Sequence, residues 1–403
     1  MISFFRRILS SKGVDKGIYF ATAVLSVFGI IMIGSSSIGG VSNYGFSWAM
    51  RNMIFQSVFV LGGLIIMLFI VRSFFLKFVT WRTTKFIYFI FFALMCVCYF
   101  MKEVNGSKAW IPVFNLFSVQ PAEFMKIALI LMLSYAFSET DLAYVVKGRF
   151  RSKQARMDFY QDKFKRCLLI PLLYAIAAFL VGVFIQRDLG TSIIIAVICF
   201  TIFMATPRTY YRKYKKIVWL GVALLAVLGG LLGVLVLRGY QMARITAWLD
   251  PLSDYFGTGY HLTNSLIAFS GGNLFGKGFG NSTQKFGYIP EAHNDFIGAI
   301  IYEELGILGL ALIIIPTAFI IFRLLHYAGK VNSDKGRLIL IGIATYFFLH
   351  LFINLGGVSG LIPMTGVPLL MISSGGSSTV AAFMAIGIAQ AIISRYNREK
   401  YSK

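Results

Sequence analysis

Residues 289–324, "IPEAHNDFIGAIIYEELGILGLALIIIPTAFIIFRL", run from a polar loop into an apolar segment long enough to cross a bilayer. Four carboxylates, Glu291, Asp295, Glu303 and Glu304, lie in the loop and in the first turns of that segment. Ionisable groups inside a membrane are costly and usually have a function or a partner there. The stretch therefore predicts a membrane-spanning helix with a polar site near one of its ends.

The composition of the whole chain is that of a membrane protein. Of its 403 residues, 58% are hydrophobic and 13% are charged, and the mean hydropathy is +0.76. Soluble domains carry about 25% charged residues, so this class is excluded. We predict an all-α polytopic membrane protein that forms a single domain over residues 1–403.

Ten apolar segments have spanning length, and the first is interpreted as a retained span and not as a signal peptide. They lie at 18–38, 53–72, 84–101, 121–138, 167–185, 190–206, 217–237, 296–324, 338–356 and 377–394. The four cysteines lie in or beside these segments, where thiols act as small hydrophobes. No disulfide and no zinc site is expected.

The positive charge is concentrated between the apolar segments. The chain has 38 Lys and Arg against 16 Asp and Glu, a net charge of +22, which in a soluble protein would suggest a nucleic-acid partner. Here the basic clusters recur in alternate loops, the longest being the loop at about 139–166. This positive-inside pattern predicts cytoplasmic termini, an even number of spans and no nucleic-acid partner.

The longest loop on the opposite side, at about 238–294, is expected to carry function because loops of this length usually do. Its segment "GGNLFGKGFGNSTQK", residues 271–285, has the glycine and lysine spacing of a nucleotide-binding loop. Gly278 stands where that motif needs Ser or Thr, so a flexible glycine-rich turn is the preferred interpretation. The alternative is a phosphate held by backbone amides together with Lys277 and Lys285.

Three other outward loops carry recognisable features. In the loop before the fourth span, Trp110 adjoins Lys108, and Glu123 and Lys126 have the spacing of a pair on one helix face. A second loop is the turn "QRDLGTS", residues 186–192. The third, at 354–378, is uncharged and rich in Gly, Pro and Ser, so its backbone must be covered by protein or by a polar cavity.

Five stretches in this order resemble the SEDS family of bacterial shape, elongation, division and sporulation proteins, represented by RodA and FtsW. They are "QPAEFMK", "DLGTS", "GYHLTNSLIAFSGGNLFGKGFGNSTQK", "IPEAHNDFIGAIIYEELG" and "IPMTGVPLLMISSGGSS". The likeness covers nearly the entire chain. The sequence has Ala109, Arg187, Gly298 and Ser374 where the family usually has arginine, proline, phenylalanine and tyrosine, but no carboxylate of the motifs is lost.

The resemblance implies a peptidoglycan glycosyltransferase, a hexosyltransferase of the bacterial cytoplasmic membrane with its active site on the extracytoplasmic side. Its substrate would be lipid II, the undecaprenyl-pyrophosphate-linked disaccharide pentapeptide, polymerised into glycan strands during cell elongation or division. The expected partner is a transpeptidase of the class B penicillin-binding type. The aspartate held to be essential in the family falls on Asp295.

Asp295 has two interpretations. As a helix cap it would accept hydrogen bonds from backbone amides, and as a general base it would take the proton of the acceptor sugar 4-hydroxyl. Pyrophosphate is already a good leaving group, so cations can replace a general acid. The residues expected to bind substrate are Lys108, Trp110, Arg187, Asp188, Arg244, Lys277, Lys285, Glu291 and Ser377.

The remaining acids are expected to be structural. Glu303 and Glu304 are interpreted as buried partners of cations or backbone amides, and Glu123 with Lys126 as a structural pair. No metal ligand set is recognised, although a divalent cation bridging pyrophosphate and a carboxylate is possible. The alternative functions are a flippase for lipid-linked cell-wall precursor, or a non-catalytic scaffold for a transpeptidase.

Overall fold

The computed structural model describes residues 13–39, 45–104, 106–114, 117–138, 164–207, 211–212, 214–221, 224, 239–290 and 292–401. Its α-helices are α1 (Lys16–Ser37), α2 (Phe46–Ser73), α3 (Trp81–Val97), α4 (Pro121–Ser138), α5 (Ile170–Leu180), α6 (Leu189–Ala205), α7 (Gly239–Leu249), α8 (Tyr260–Gly272), α9 (Ile297–Lys330), α10 (Asp334–Val358) and α11 (Gly376–Tyr401).

The helices make this a multi-pass membrane protein. Within the described ranges, seven helices are long and apolar enough to span a bilayer, and two shorter apolar helices cover Ile170–Ile185 and Leu189–Ala205. These nine helices coincide with nine predicted spans. Of the predicted span 217–237, residues 217–221 and 224 are helical and residues 225–237 lie outside the described part.

Polar side chains fix where several helices begin. Asp15 precedes α1 and accepts from the amide of Gly17 at 2.9 Å, while Asp188 precedes α6 and accepts from Thr191 at 2.9 Å. Ser333 caps α10 in the same way. Such caps satisfy amides that the first turn of a helix leaves without an intrahelical acceptor.

Three helices form the centre of the bundle. The apolar windows of α4, α11 and α10 are 89%, 83% and 67% buried, whereas those of α2 and α3 are 22% buried and face outward. One large apolar cluster contains side chains from all three central helices. Polar groups on these helices are therefore shielded from lipid by protein.

Helix α9 differs from the continuous span predicted over 296–324. Its backbone breaks at Gly306, which has a φ of +61° and a ψ of −146°. A Cβ at this position would lie 2.4 Å from the carbonyl oxygen of Leu274, so glycine is required by both conformation and space. Residues 307–330 alone reach about 36 Å at 1.5 Å per residue, enough to cross a bilayer. Glu303 and Glu304 precede the break and so lie outside this spanning-length part of α9.

Two connections between helices complete the fold. Strands β1 (Ile111–Val113) and β2 (Phe117–Val119) form an antiparallel hairpin between α3 and α4, which the all-α prediction did not include. Residues 359–375 connect α10 to α11 without helix. Helices α7 and α8 dock on the start of this connection: Trp248 donates to the carbonyl of Gly360 at 2.8 Å and Ser265 to that of Val358 at 2.6 Å.

Candidate functional site

Asp295 is half-buried in the turn that precedes α9. Its backbone carbonyl accepts from the side-chain amide of Asn354 at 2.8 Å, and the carbonyl of His293 accepts from the amide of Ser374 at 3.0 Å. A Cβ on Gly366, whose φ is +71°, would lie 3.3 Å from the Asp295 carboxylate. The carboxylate is thus held beside the uncharged connection 359–375.

The cap position of α9 belongs to Phe296, which makes no side-chain cap hydrogen bond. The helix begins at Ile297, two residues after Asp295. Phe296, and not Asp295, therefore occupies the cap position of this helix. A half-buried carboxylate on a turn that other elements hold is an arrangement suited to accepting a proton.

Three of the motifs meet at the first turns of α4. The backbone amide of Gln120 donates to the hydroxyl of Ser377 at 2.9 Å, and its side-chain amide donates to Asp188 at 3.0 Å. Burial is the main influence on Asp188 and raises the pKa of its carboxyl. Gln120, the first residue of "QPAEFMK", therefore connects that stretch to "DLGTS" through Asp188 and to "SSGGSS" through Ser377.

One turn further along α4, Glu123 and Lys126 form an ion pair of 2.8 Å with exposed fractions of 1% and 0%. Tyr346 donates to Glu123 at 3.3 Å, and the ammonium of Lys126 lies 2.9 Å from Nε2 of His350. Since the ammonium donates, Nε2 accepts and His350 is the neutral Nδ1–H tautomer. The pair is thus embedded in a hydrogen-bonded network, which a buried ion pair requires.

Glu303 is enclosed by the loop that carries the glycine-rich stretch. Its carboxylate accepts from the ammonium of Lys277 at 2.6 Å and from the hydroxyl of Thr283 at 2.7 Å. The hydroxyl of Ser282 and the backbone amide of Gln284 also donate to it. Lys277 remains 35% exposed, whereas Glu303 is buried.

Glu304 is enclosed from the other side. Its carboxylate accepts from Lys285 at 2.8 Å and from the hydroxyl of Ser35, at the end of α1, at 2.7 Å. The Lys285 ammonium also contacts the Ser35 hydroxyl at 3.3 Å and donates to the carbonyl of Gly280 at 2.7 Å. An ammonium has three donors, so Lys285 is saturated, and it is only 1% exposed.

The backbone of the glycine-rich stretch is also occupied. The break at Gly306 releases the carbonyls of Glu303 and Glu304 from the helix, and these accept from the amides of Lys277 at 2.8 Å and Gly278 at 2.9 Å. The amide of Gly276 donates to Gly272. The amides of Gly276, Lys277 and Gly278 are thus used within the fold, while the phosphate-binding alternative for the rest of the segment stays a prediction.

Two other predicted cations, Lys108 and Arg187, lie at the turn 186–192. Lys108 is half-buried over the ring of Tyr99 at 5.4 Å, and its amide donates to Gln186. The neighbouring Arg187 forms an exposed pair with Glu103 at 3.0 Å. Trp110 is half-buried just before β1.

Two predicted residues fall outside what the structure describes. Arg244 lies on α7, but its side chain is not described, and Glu291 lies outside the described residues. Among the described residues, no group of three or more His, Cys, Asp or Glu side chains is placed to hold a metal ion.

Four contributors to this region were not singled out from the sequence: Gln120, Tyr346, His350 and Asn354. His350 carried a usable signal, because an ionisable residue within an apolar segment is a functional candidate by default. Asn354 begins the uncharged stretch and is a polar residue near a helix end. Its two carbonyl partners are far apart in sequence, so no local pattern predicts them.

Comparison with known proteins decides the family. The model of the FtsW, RodA and SpoVE cell cycle proteins (FTSW_RODA_SPOVE) matches residues 16–399. The chain belongs to this family. Stage V sporulation protein E of Bacillus subtilis (strain 168) is 34% identical over 398 residues, which cover 95% of this chain and 98% of that protein.

Another member of the FtsW, RodA and SpoVE family, the probable peptidoglycan glycosyltransferase FtsW of Tolumonas auensis, is 32% identical over 381 residues, with 93% and 90% of the two chains covered. A solved chain from a study of "structural coordination of polymerization and crosslinking by a peptidoglycan synthase complex" has the same fold. Its TM-score is 0.71 at 21% identity, over 97% of this chain and 99% of that one.

Proposed function

We propose that the protein is a peptidoglycan glycosyltransferase that polymerises lipid II into glycan strands. Family membership over residues 16–399 supports this, as do relatives named for the activity at more than 30% identity over nearly their full length. The polymer serves cell elongation or division. A class B penicillin-binding transpeptidase is the proposed partner, because the solved chain with the same fold comes from a study of polymerisation and crosslinking.

In the proposed reaction Asp295 is the general base. Its carboxylate takes the proton of the acceptor 4-hydroxyl as that oxygen forms a bond to the anomeric carbon of the donor. The bond from the anomeric carbon to the phosphate oxygen breaks, and undecaprenyl pyrophosphate leaves with the electron pair. The observation that supports this assignment is the half-buried position of Asp295 in the turn that precedes α9, whereas Glu303 and Glu304 are buried in ion pairs with Lys277 and Lys285.

Cations near the outward surface would stabilise the charge that develops on the pyrophosphate. Lys108 and Arg187 retain this role in our proposal, because Arg187 is 41% exposed and its partner Glu103 is exposed as well. Arg244, Trp110 and Glu291 remain proposed substrate contacts. Lys277 serves mainly Glu303. Lys285, Asp188 and Ser377 are assigned to the structure beneath the site, because their polar groups are already used.

The proposed topology has ten spans with both termini in the cytoplasm. The positive-inside distribution of the basic loops supports this arrangement, including a cytoplasmic loop at about 139–166. An even count then requires a span near 217–237. The loop at about 238–294 and the active site would face the extracytoplasmic side of the bacterial membrane, within one domain over 1–403.

The direct test uses the purified full chain, alone and with its cognate transpeptidase, incubated with labelled lipid II. We expect glycan chains from wild type and at least a 100-fold lower rate from Asp295→Ala. The matched control is Asp250→Ala, which changes an exposed aspartate of the same outward loop whose carboxylate accepts from the amide of Leu252 at 3.3 Å. It should polymerise at the wild-type rate.

The same preparations distinguish the competing functions. If neither preparation makes glycan chains, the enzyme assignment is wrong. Flipping of lipid II in proteoliposomes that continues undiminished in Asp295→Ala, without polymer, would indicate a transporter. Normal association with the transpeptidase without either activity would indicate a scaffold.

A further inference from the structure

Asn354 on α10 ties together two segments that are distant in sequence. Its side-chain amide nitrogen donates to the carbonyl of Asp295 at 2.8 Å and to the carbonyl of Val367 at 2.7 Å. Both partners are acceptors, so the orientation of the amide group is fixed by its contacts. One planar amide thus sets the position of the turn carrying Asp295 relative to the connection 359–375.

This placement is maintained at a cost in free energy. Asn354 is 4% exposed, and no donor among the described residues reaches its buried carbonyl oxygen Oδ1. A buried acceptor without a donor destabilises a folded protein. A residue chosen for packing alone would be apolar here. What the asparagine supplies in return is the pair of bonds that it donates to Asp295 and Val367.

His350, one helical turn before Asn354, holds the adjacent carbonyl. Its Nδ1 donates to the carbonyl of Pro368 at 2.9 Å, while its Nε2 accepts from Lys126, which is paired with Glu123. Residues four apart on a helix lie on the same face. The carbonyls of two consecutive residues in the connection are consequently fixed to one face of α10.

Gly366 immediately precedes this clamped pair and faces the carboxylate of Asp295. A Cβ there would lie 3.3 Å from that carboxylate, and Gly366 has a positive φ. We propose that Asn354 is a positioning residue for the proposed reaction: it sets the distance between the Asp295 carboxylate and the connection 359–375, which faces that carboxylate at Gly366. The proposal rests on the assignment of Asp295 as the base.

The expected consequence is a loss of turnover without a loss of substrate binding. A displacement of about 1 Å at a reacting group can lower a rate about 100-fold. In the lipid II assay we expect Asn354→Ala to lower kcat 10- to 100-fold and to leave KM within about two-fold of wild type. The control is Asn397→Ala, because Asn397 makes a similar bond, of 2.7 Å, to the carbonyl of Gly13. Both of its kinetic constants should stay within about two-fold.

A double mutant separates positioning from a general structural defect. Asp295→Glu lengthens the side chain by one methylene, so the carboxylate is no longer at its original distance from the connection 359–375. Adding Asn354→Ala to it should lower kcat by less than about three-fold, because residues that act as a unit are non-additive. A merely structural role would give the full 10- to 100-fold loss in this background.

Further arms keep the outcome clear. Asn354→Asp keeps the size of the asparagine side chain and removes its amide donors. It replaces Asn354→Ala if the alanine variant does not fold. Both are also assayed in unextracted membranes, so instability in detergent does not decide the result. If Asp295→Ala is inactive while the Asn354 variants keep kcat within about two-fold of wild type, the positioning role is wrong and the proposed function stands. Full activity of Asp295→Ala would instead reject the assignment of the base.

Discussion

Asp295 and Glu304 lie nine positions apart in the sequence, yet their surroundings are different. Glu304 is fully buried and accepts from Lys285 and Ser35. Asp295 is half-buried, and it is its backbone carbonyl that is fixed, by Asn354. The comparison teaches that the role of a carboxylate in this stretch depends on the groups that surround it. Around Glu304 the carboxylate itself holds two polypeptide segments together, whereas around Asp295 a backbone carbonyl does so.

The largest effect on stability is expected from Glu304→Ala. This change leaves the Lys285 ammonium, 1% exposed, without its counter-charge. Breaking a buried pair from one side costs about 3–5 kcal/mol of the free energy of unfolding. The thermal unfolding midpoint in detergent should fall strongly. A double variant, Glu304→Ala with Lys285→Met, should recover at least half of the loss. An unchanged midpoint in the single variant would contradict the structural role.

A second test concerns the helix break that makes room for the glutamate contacts. Gly306→Ala forces a side chain at a φ of +61° and within 2.4 Å of a backbone oxygen, so a destabilisation of about 1–3 kcal/mol is expected. Gly329→Ala, in the same helix with nothing within 4 Å of the added Cβ, is the control and should be neutral or slightly stabilising. Equal midpoints for the two variants would show that the break is not required.

The two lysines of the loop should differ. Lys277 is 35% exposed, and its partner Glu303 keeps Ser282, Thr283 and Gln284 as donors. Lys277→Ala should therefore cost about 1 kcal/mol, since water can replace part of the contact. Lys285→Ala, at a buried position, is the matched comparison and should lower the unfolding midpoint at least twice as much. The reverse order would reject the assignment of Lys285 as the structural lysine.

The smallest effect on stability is expected at the exposed ion pair of Arg187 and Glu103. Arg187 and Glu103 are 41% and 44% exposed, and exposed pairs contribute about 0–1 kcal/mol. Arg187→Ala should leave the unfolding midpoint almost unchanged while raising KM for lipid II, because Arg187 is proposed to meet the pyrophosphate. Glu103→Ala removes the same pair without removing the cation, and its KM should stay near the wild-type value.

Much of the fold follows from sequence because it depends on local properties. Apolar length predicted nine of the helices that the structure describes. The break at Gly306 was not predicted, because it depends on the approach of Leu274 from another segment. The β-hairpin was missed for a different reason: its strands are only three residues long, too short for an alternating pattern to show.

The candidate site was predictable only in part. The sequence analysis interpreted Glu303 and Glu304 as partners of cations or backbone amides. In the structure each carboxylate accepts from one lysine ammonium and from at least one backbone amide. It left the cations Lys108, Arg187, Arg244, Lys277 and Lys285 unranked, because charge alone does not reveal burial. Asn354 was overlooked because its partners are backbone carbonyls, which carry no signature in the sequence.

The most direct test of the account compares Asp295→Asn with Glu304→Gln, two nearly isosteric changes that remove one charge each. For both variants, the rate of lipid II polymerisation per folded molecule and the thermal unfolding midpoint are measured in the same preparation. We predict that Asp295→Asn lowers the rate by at least 100-fold with a midpoint within about 2 °C of wild type. Glu304→Gln should lower the midpoint, with a folded fraction that polymerises at near the wild-type rate. A wild-type rate for Asp295→Asn, or a 100-fold loss in folded Glu304→Gln, would contradict the division of roles between the two carboxylates.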